Sequence, residues 1–121
     1  MIGVGMDAVD VERFRRSLAR TPGLAARLFT EGERADVGGR HDPAEGLAAR
    51  FAAKEAVMKA LGVGLGAFGF HDVEVVRAPS GQPSLVLRGP AAELSAERAV
   101  RCWHLSLTHT ATVAQAIAVA D

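Results

Sequence analysis

Residues 42–62, DPAEGLAARFAAKEAVMKALG, decide the fold because they describe one long helix with both ends marked. Asp42 suits the N-cap, Pro43 suits the first helical position, and Glu45 three residues on completes a capping box. Gly62 is typical of the residue that follows a helix in the left-handed conformation. We therefore predict a helix of about 19 residues as the central element of the protein.

The segments on either side of this helix predict short strands and further helices. Residues 2–6 alternate apolar residues with glycines, as one strand would, and Asp7 follows on the glycine side. Segments near 73–87 and 102–119 each contain two alternating runs around a turn. Helices are expected after Asp10 as far as Arg20, over 24–29, after the Thr30–Glu33 capping box, and over 90–98. This order predicts a single α+β domain, residues 1–121, with an antiparallel sheet packed against the long helix.

The composition fits a small globular domain and excludes several classes of protein. The chain carries 14 basic and 14 acidic residues, and this balance argues against a nucleic-acid partner. Because no apolar run is long enough to cross a bilayer and no signal-peptide pattern is present, we expect a cytoplasmic protein without a membrane partner. Cys102 is the single cysteine, so no internal disulfide is possible, and we expect it to be a small core residue in a strand.

A basic segment follows the first strand. Between residues 13 and 27 the chain has five arginines and no acidic residue after Glu12: Arg13, Arg15, Arg16, Arg20 and Arg27. Such a segment is either the solvated face of a helix or a surface that attracts an acidic partner. The sequence leaves both interpretations open.

Both lysines of the chain, Lys54 and Lys59, lie on the long helix around Glu55, whereas the other twelve basic residues are arginines. A helical salt bridge, with Lys54 extending its ammonium out of the core, would explain this pattern structurally. We favour a site, because lysine offers a compact charge for a phosphate, and Mg²⁺ binds one or two carboxylates together with substrate phosphates. Glu55 is then one metal ligand. Asp7 is a candidate for the second, although it could equally cap the helix that follows it.

Two patterns near the ends of other elements also bear on a site. His109 ends a predicted strand, where functional residues are common, and a structural histidine is an equal alternative. Residues 64–69, GLGAFG, match GxGxxG but follow a helix and precede a strand, the reverse of a dinucleotide-binding motif. These glycines are expected to let the backbone pass close to a ligand or make a tight crossing. Since no HExxH motif or Cys/His cluster occurs, no zinc site is expected.

Three segments together resemble the signatures of the bacterial holo-acyl-carrier-protein synthases, the short class of 4′-phosphopantetheinyl transferases. They are GVGMD (3–7), RFAAKEAVMKA (50–60) and HLSLTH (104–109), of which the second is the most specific. FHDVEV (70–75) and GQP (81–83) resemble the same family, so the resemblance covers nearly the whole chain. It implies the α+β 4′-phosphopantetheinyl transferase fold and a homotrimer with active sites in the clefts between subunits.

The resemblance also implies a reaction. The 4′-phosphopantetheine group of coenzyme A would be transferred to a serine of an acidic apo-acyl-carrier protein, with Mg²⁺ as cofactor and 3′,5′-ADP as the second product. The residues that match the family's metal ligands are Asp7 and Glu55, and those that match its catalytic residues are these two with Lys59 and His109. The coenzyme A site would include Arg50, Lys54, Lys59, Gly62, Gly64, Gly66, Pro83 and His109, with Pro83 reaching it from a neighbouring subunit.

Two further implications concern partners. Arg13 matches a basic position that meets the carrier protein, and we expect Arg20 and Arg27 of the basic segment to join it. Thr110 stands where many relatives have an acidic residue directly after the histidine, which leaves the hydrogen-bond partner of His109 open. The proton acceptor for the serine is also open between His109 and a bound water.

Two other functions remain possible from the sequence. A non-catalytic oligomeric module that binds coenzyme A or a nucleotide would use the same glycines and basic residues without needing both acids. An interaction protein that docks an acidic partner on the arginine-rich segment would not need Lys59.

Overall fold

The computed structural model describes residues 1–121, and its helices and strands follow one another in an α+β order. The strands are β1 (Gly3–Asp10), β2 (Val73–Arg77), β3 (Pro83–Leu87), β4 (Trp103–His109) and β5 (Val113–Ala120). The helices are α1 (Val11–Arg20), α2 (Leu24–Leu28), α3 (Glu31–Val37), α4 (Pro43–Ala60) and α5 (Gly89–Glu97), and a 3₁₀ turn at Phe70–Asp72 precedes β2. None of the helices has the length and hydropathy that a membrane-spanning segment needs.

The strands form two antiparallel sheets. One has the order β1-β5-β4, and the other is the β2–β3 hairpin. In the larger sheet, Ala120 lies opposite both Gly3 of β1 and Trp103 of β4, and Ala116 lies opposite both Asp7 and Leu107. The first and last strands of the chain are therefore neighbours, which confirms the predicted antiparallel sheet and places the start of the chain at its edge.

The glycines of β1 allow α4 to lie directly on the sheet. A Cβ added to Gly3 would lie closer than 3.0 Å to the backbone oxygen of Ala60, and one added to Gly5 would lie as close to that of Ala56. Neither oxygen can move without moving the helix. Every second residue of β5 on this face is a buried alanine: Ala114, Ala116, Ala118 and Ala120. Gly3 and Gly5 thus leave the space in which the backbone of α4 lies.

The apolar side of β1 lies on the opposite, outward face of the sheet. Ile2, Val4 and Met6 are 46%, 53% and 65% exposed. Val113 and Ile117 of β5 extend the same face and are also exposed. A lone domain rarely exposes so continuous an apolar surface, so this face is suited to contact with another protein surface.

The marked ends of α4 are confirmed with one correction. The Asp42 side chain accepts a hydrogen bond from the backbone N–H of Ala44, and Pro43 is the first helical residue. Gly62 has a φ of 71°, as expected beyond a helix end. Glu45 does not complete a capping box, because its carboxylate is turned instead towards the end of β4.

Cys102 is also placed differently from the prediction. It lies just before β4 and is exposed. Its backbone N–H and C=O bond to those of Asp121, so it extends the β4–β5 ladder beyond the buried part of the sheet. Its side chain shares the outward face of β4 with His104 and Ser106, opposite the face that packs against α4, which is why it lies outside the core.

Candidate active site

A cleft of about 570 Å³ opens between β1, α1, α2 and α4. Its lining includes the two predicted metal ligands together with one arginine of the basic segment and three aromatic rings: Asp7, Arg13, Phe14, Phe51, Glu55 and Phe70. Phe51 lies between the other two rings, with centroid distances of 5.3 Å to Phe14 and 5.6 Å to Phe70. The cleft thus combines a charged end with an apolar wall.

The close contact between β1 and α4 brings the two acids together. Asp7 lies two residues beyond Gly5 on the same side of the strand, and Glu55 directly precedes Ala56, whose backbone oxygen meets Gly5. Burial raises the pKa of the Glu55 carboxyl, the charge of Asp7 raises this pKa further, and Lys59 acts in the opposite direction. The carboxylates of Asp7 and Glu55 are therefore close enough to repel one another.

Lys59 lies beside this pair of acids. Its Nζ is 3.1 Å from Oδ1 of Asp7 and 3.0 Å from the backbone oxygen of Met6. An ammonium has three N–H donors, so one remains for a ligand. Since the side chain is 54% exposed, Lys59 can donate this hydrogen bond to an anion that enters from solvent.

The donor set of Asp7 and Glu55 fits a hard divalent cation. Both are carboxylates, they come from two elements fixed by backbone contact, and their mutual repulsion would be relieved by a positive ion. Mg²⁺ takes one or two carboxylates and completes its shell with water and phosphate oxygens. The residues present therefore fit the metal predicted from the sequence.

Lys54 lies in the core, contrary to the expectation that it contacts coenzyme A. Its side chain has no exposed surface. Nζ donates to Oε1 of Glu33 at 2.8 Å, to the backbone oxygen of Phe70 at 2.7 Å and to that of Val73 at 2.5 Å. All three donors are used, so none is left for a phosphate. The alternative in which Lys54 extends out of the core is also wrong.

Arg50 is likewise buried, with 3% of its surface exposed. Nη1 donates to the backbone oxygen of Gly46 at 3.1 Å, and Nη2 lies 3.5 Å from Oδ2 of Asp36. Its Nε is buried without a partner. Nη1 therefore bonds within α4, Nη2 links α4 to α3, and a contact with coenzyme A stays a prediction.

His109 ends β4, as predicted, and its partner is Glu45. Nδ1 of His109 lies 3.2 Å from Oε2 of Glu45, and both side chains are partly exposed. The hydroxyl of Thr110 accepts from the backbone N–H groups of Thr112 and Val113, so this residue shapes the turn before β5. Sequence reasoning missed Glu45, because a contact between the start of α4 and the end of β4 leaves no local pattern.

One chain does not bring all the predicted site residues together. Glu45 and Glu55 are ten residues apart on one helix, which separates them by about 15 Å along its axis. His109 accordingly does not line the cleft that holds Asp7 and Glu55. The glycines predicted to contact coenzyme A lie in an exposed loop just beyond Lys59, at the end of α4: Gly62, Gly64 and Gly66. Pro83 begins β3, at a third location.

Comparison with known sequences gives a consistent family. The sequence model of the 4′-phosphopantetheinyl transferase superfamily matches residues 3–120. The holo-[acyl-carrier-protein] synthase of Salinispora arenicola is 52% identical over 121 residues, which is 100% of this chain and 98% of the relative. The synthase of the same name from Moorella thermoacetica is 44% identical over 121 residues, which is 100% of this chain and 94% of the relative.

Solved structures agree with this result and show the fold. The holo-[acyl-carrier-protein] synthase of Neisseria meningitidis has a TM-score of 0.90 and 28% identity, with 100% of this chain and 98% of that chain covered. The Helicobacter pylori synthase in complex with coenzyme A has a TM-score of 0.85 and 26% identity, covering 98% and 99% of the two chains. The predicted fold is confirmed.

Proposed function

The chain belongs to the 4′-phosphopantetheinyl transferase superfamily, and we propose that it transfers 4′-phosphopantetheine from coenzyme A to a serine of apo-acyl-carrier protein at a metal site formed by Asp7 and Glu55. The products are the holo-carrier protein and 3′,5′-ADP. The observation that carries the proposal is the cleft in which these two acids lie together, with Lys59 bonded to Asp7 beside them. The cytoplasmic location expected from the sequence stays a prediction.

The residues of the cleft fit a reaction that depends on positioning and charge. The serine hydroxyl attacks the β-phosphorus of coenzyme A, and the bond to the leaving 3′,5′-ADP breaks. Asp7 and Glu55 would hold Mg²⁺, and the ion would supply neutralising charge to the pyrophosphate. Lys59 donates its remaining N–H to a phosphate oxygen, and its link to Asp7 fixes the direction of that bond. The aromatic wall of the cleft lies on one side of the two acids and offers an apolar surface to the substrate.

The proton of the attacking serine needs an acceptor, and we propose His109. Glu45 lies next to Nδ1 of His109, so the proton of the neutral imidazole is held at Nδ1 and Nε2 is left as an acceptor. His109 does not line the cleft of its own chain. A neighbouring subunit must therefore supply it if it acts on the serine.

We infer that the protein assembles as a homotrimer, the oligomer that the family resemblance implies. The exposed apolar face of the larger sheet, formed by Ile2, Val4, Met6, Val113 and Ile117, supplies a surface for such an assembly. The separation of His109 from Glu55 within one chain is a second argument, because a site between subunits would bring Glu55 of one subunit close to His109 of its neighbour.

Mixing two impaired variants tests the shared site. Glu55→Gln should abolish transfer and His109→Ala should leave only a small measurable rate, and trimers formed from both would contain some interfaces with one intact copy of each residue. With equal amounts and random assembly, about a quarter of the interfaces are intact. Activity near that fraction, measured after the subunits are unfolded and refolded together, is expected. No recovery in properly assembled trimers would place both residues in one subunit's site.

The arginine-rich segment fits the acidic carrier protein. Arg15 pairs with Glu12 and Asp42, and Arg16 pairs with Glu12, so these two are neutralised within the chain. The three arginines predicted to meet the partner have no carboxylate partner of their own: Arg13, Arg20 and Arg27. Because Arg13 also lines the cleft, a carrier protein bound here would present its serine near Asp7.

The activity is tested by intact-mass spectrometry of an apo-acyl-carrier protein incubated with this protein, coenzyme A and Mg²⁺. We expect a gain of one phosphopantetheine group, which EDTA and Glu55→Gln abolish. Glu93→Gln, at an exposed position of α5, is the matched control and should retain activity. Absence of any gain with folded protein and several carriers would refute the transferase proposal. If Glu55→Gln binds coenzyme A and transfers as well as the unmodified protein, the metal site is refuted.

A further inference from the structure

Three potential metal ligands converge at the end of the larger sheet, away from the cleft. Sγ of Cys102 lies 3.6 Å from Nε2 of His104, and Oδ2 of Asp121 lies 3.6 Å from the same nitrogen. All three ligand atoms lie within 4.8 Å of one another, and all three residues are exposed. Asp121 is five residues beyond Ala116, the partner of Asp7, so about 16 Å of strand separates the cluster from the active site.

The backbone fixes this arrangement. Cys102 and Asp121 lie directly opposite one another and exchange two backbone hydrogen bonds, of 3.1 and 2.9 Å. His104 is two residues beyond Cys102 along the same strand, so the side chains of Cys102 and His104 point to one face. Cross-strand neighbours also share a face, which brings Asp121 to the same side. The three side chains therefore meet because of strand register, and holding them together needs no loop rearrangement.

The two distances from Nε2 of His104 match tetrahedral coordination. With Zn–S near 2.3 Å and Zn–N near 2.0–2.1 Å, two ligand atoms at the tetrahedral angle lie about 3.6 Å apart. The amino group of Met1 lies 3.3 Å from Oδ1 of Asp121, which leaves Oδ2 on the side of the histidine. A thiolate, an imidazole and a carboxylate suit zinc, whereas Mg²⁺ prefers oxygen ligands alone.

We propose that Cys102, His104 and Asp121 form a Zn²⁺ site that is separate from the transferase site. Cys102 binds as the thiolate and releases its proton, His104 binds through Nε2, and Asp121 binds through Oδ2. Water occupies the fourth position. The sequence prediction of no zinc site rested on the lack of a recognised motif. A Cys-x-His pair completed by an acid 17 positions further on has no motif to recognise, because the strand pairing creates it.

Cobalt titration of the assembled, EDTA-treated protein under reducing conditions tests this site. Co²⁺ bound to a thiolate gives a near-ultraviolet charge-transfer band, and Cys102 is the only thiol of the chain, so the band reports on this residue alone. We expect a band that saturates at about one ion per chain and disappears when Zn²⁺ is added. Cys102→Ser should abolish it.

The other two ligands are tested with the thiol intact. His104→Ala and Asp121→Asn should each weaken cobalt binding by more than about tenfold, since even partners outside the ligand shell cost that much in metal sites. His41→Ala removes an exposed histidine elsewhere and should leave the titration unchanged. Phosphopantetheine transfer with Mg²⁺ should persist in Cys102→Ser, so the zinc site and the proposed function are tested separately.

Three outcomes would overturn the proposal. The first is the absence of the band in folded protein. The second is an affinity for Co²⁺ that is unchanged in both His104→Ala and Asp121→Asn. The third is saturation at about one ion per three chains, which would require ligands from several subunits.

Discussion

Helix α4 carries two lysine–carboxylate pairs, one turn and a half apart, that differ in almost every physical respect. Lys54 and Glu33 are both fully buried, with Nζ and Oε1 2.8 Å apart. Lys59 is 54% exposed and Asp7 18% exposed, with Nζ and Oδ1 3.1 Å apart. The buried pair is closed within the protein, because Lys54 uses its remaining donors on two backbone carbonyls. The exposed pair keeps a donor free.

The comparison shows which lysine can act on a substrate. A buried charge must have all its hydrogen bonds satisfied, so it stabilises one arrangement and cannot exchange partners cheaply. A half-exposed charge next to carboxylates can transfer a hydrogen bond from water to an incoming phosphate. We therefore assign Lys54 to the fold and Lys59 to the chemistry.

The largest expected effect comes from breaking the buried pair. Lys54→Met leaves the Glu33 carboxylate buried without its cation, and this change should lower the free energy of unfolding by about 3–5 kcal/mol. Glu33→Gln added to Lys54→Met removes the unpaired charge and should recover part of the loss. Urea unfolding at equal protein concentration measures both. A loss below about 1 kcal/mol for Lys54→Met would mean that the pair is no more important than a surface salt bridge.

Breaking the exposed pair should act on catalysis. Lys59→Ala removes a charge aimed at the phosphates and should reduce the transfer rate by about 10²–10³-fold, while unfolding changes by less than about 1 kcal/mol. Initial rates of carrier-protein modification and urea unfolding give the two numbers. Arg101→Ala, at another exposed basic residue, serves as control. A loss of stability as large as that of Lys54→Met would contradict the assignment.

The two pairs also differ in how well the sequence alone could predict them. The elements and the side of β1 that carries Asp7 were predictable, because capping residues and the alternation of apolar residues with Gly3 and Gly5 act locally. The role of Lys54 was not, since its partner Glu33 is 21 residues away and sits inside a capping box that already explained it. Oε1 of Glu33 accepts both from the backbone N–H of Thr30 in the capping box and from Lys54. Oε2 accepts from the backbone N–H of Val75.

The two acids proposed to bind the metal could be chosen from the sequence, whereas the partner of the histidine could not. Glu55 and Lys59 stood out because the chain places its only two lysines around one acid, a compositional signal that survives without structure. Glu45 gave a competing local signal as a capping residue. Only the packing of α4 against the end of β4 shows that its carboxylate faces His109 instead.

A third pair, His109 and Glu45, is about as exposed as Lys59 and Asp7. We expect a smaller effect from Glu45, because it acts on the histidine and not on the substrate. Glu45→Gln removes the charge that orients the imidazole and should lower the transfer rate by about ten- to a hundredfold. In a His109→Ala background the same change should have no further effect, because Glu45 acts through the histidine. An equal loss in both backgrounds, measured as initial rates, would mean that Glu45 acts independently of His109.

The smallest expected effect is that of the Glu55 carboxylate on the stability of the protein. This carboxylate lowers the free energy of unfolding, whereas the buried pair raises it. Burial and the charge of Asp7 raise the pKa of Glu55 in the folded state, so its ionisation favours the unfolded chain. Without metal, stability is therefore highest below the unfolded pKa and falls as pH rises towards the raised folded value.

Glu55→Gln removes that loss, so in EDTA near neutral pH it should melt at a slightly higher temperature than the unmodified protein and at the same temperature in acid. Mg²⁺ should reverse the order, because only the carboxylate binds the ion. Thermal unfolding with EDTA or Mg²⁺ at both pH values measures this. Were Glu55→Gln less stable in EDTA at neutral pH, the carboxylate would be contributing to the fold, as Lys54 does. The expected reversal would instead show an acid retained at a cost to stability because the reaction needs it.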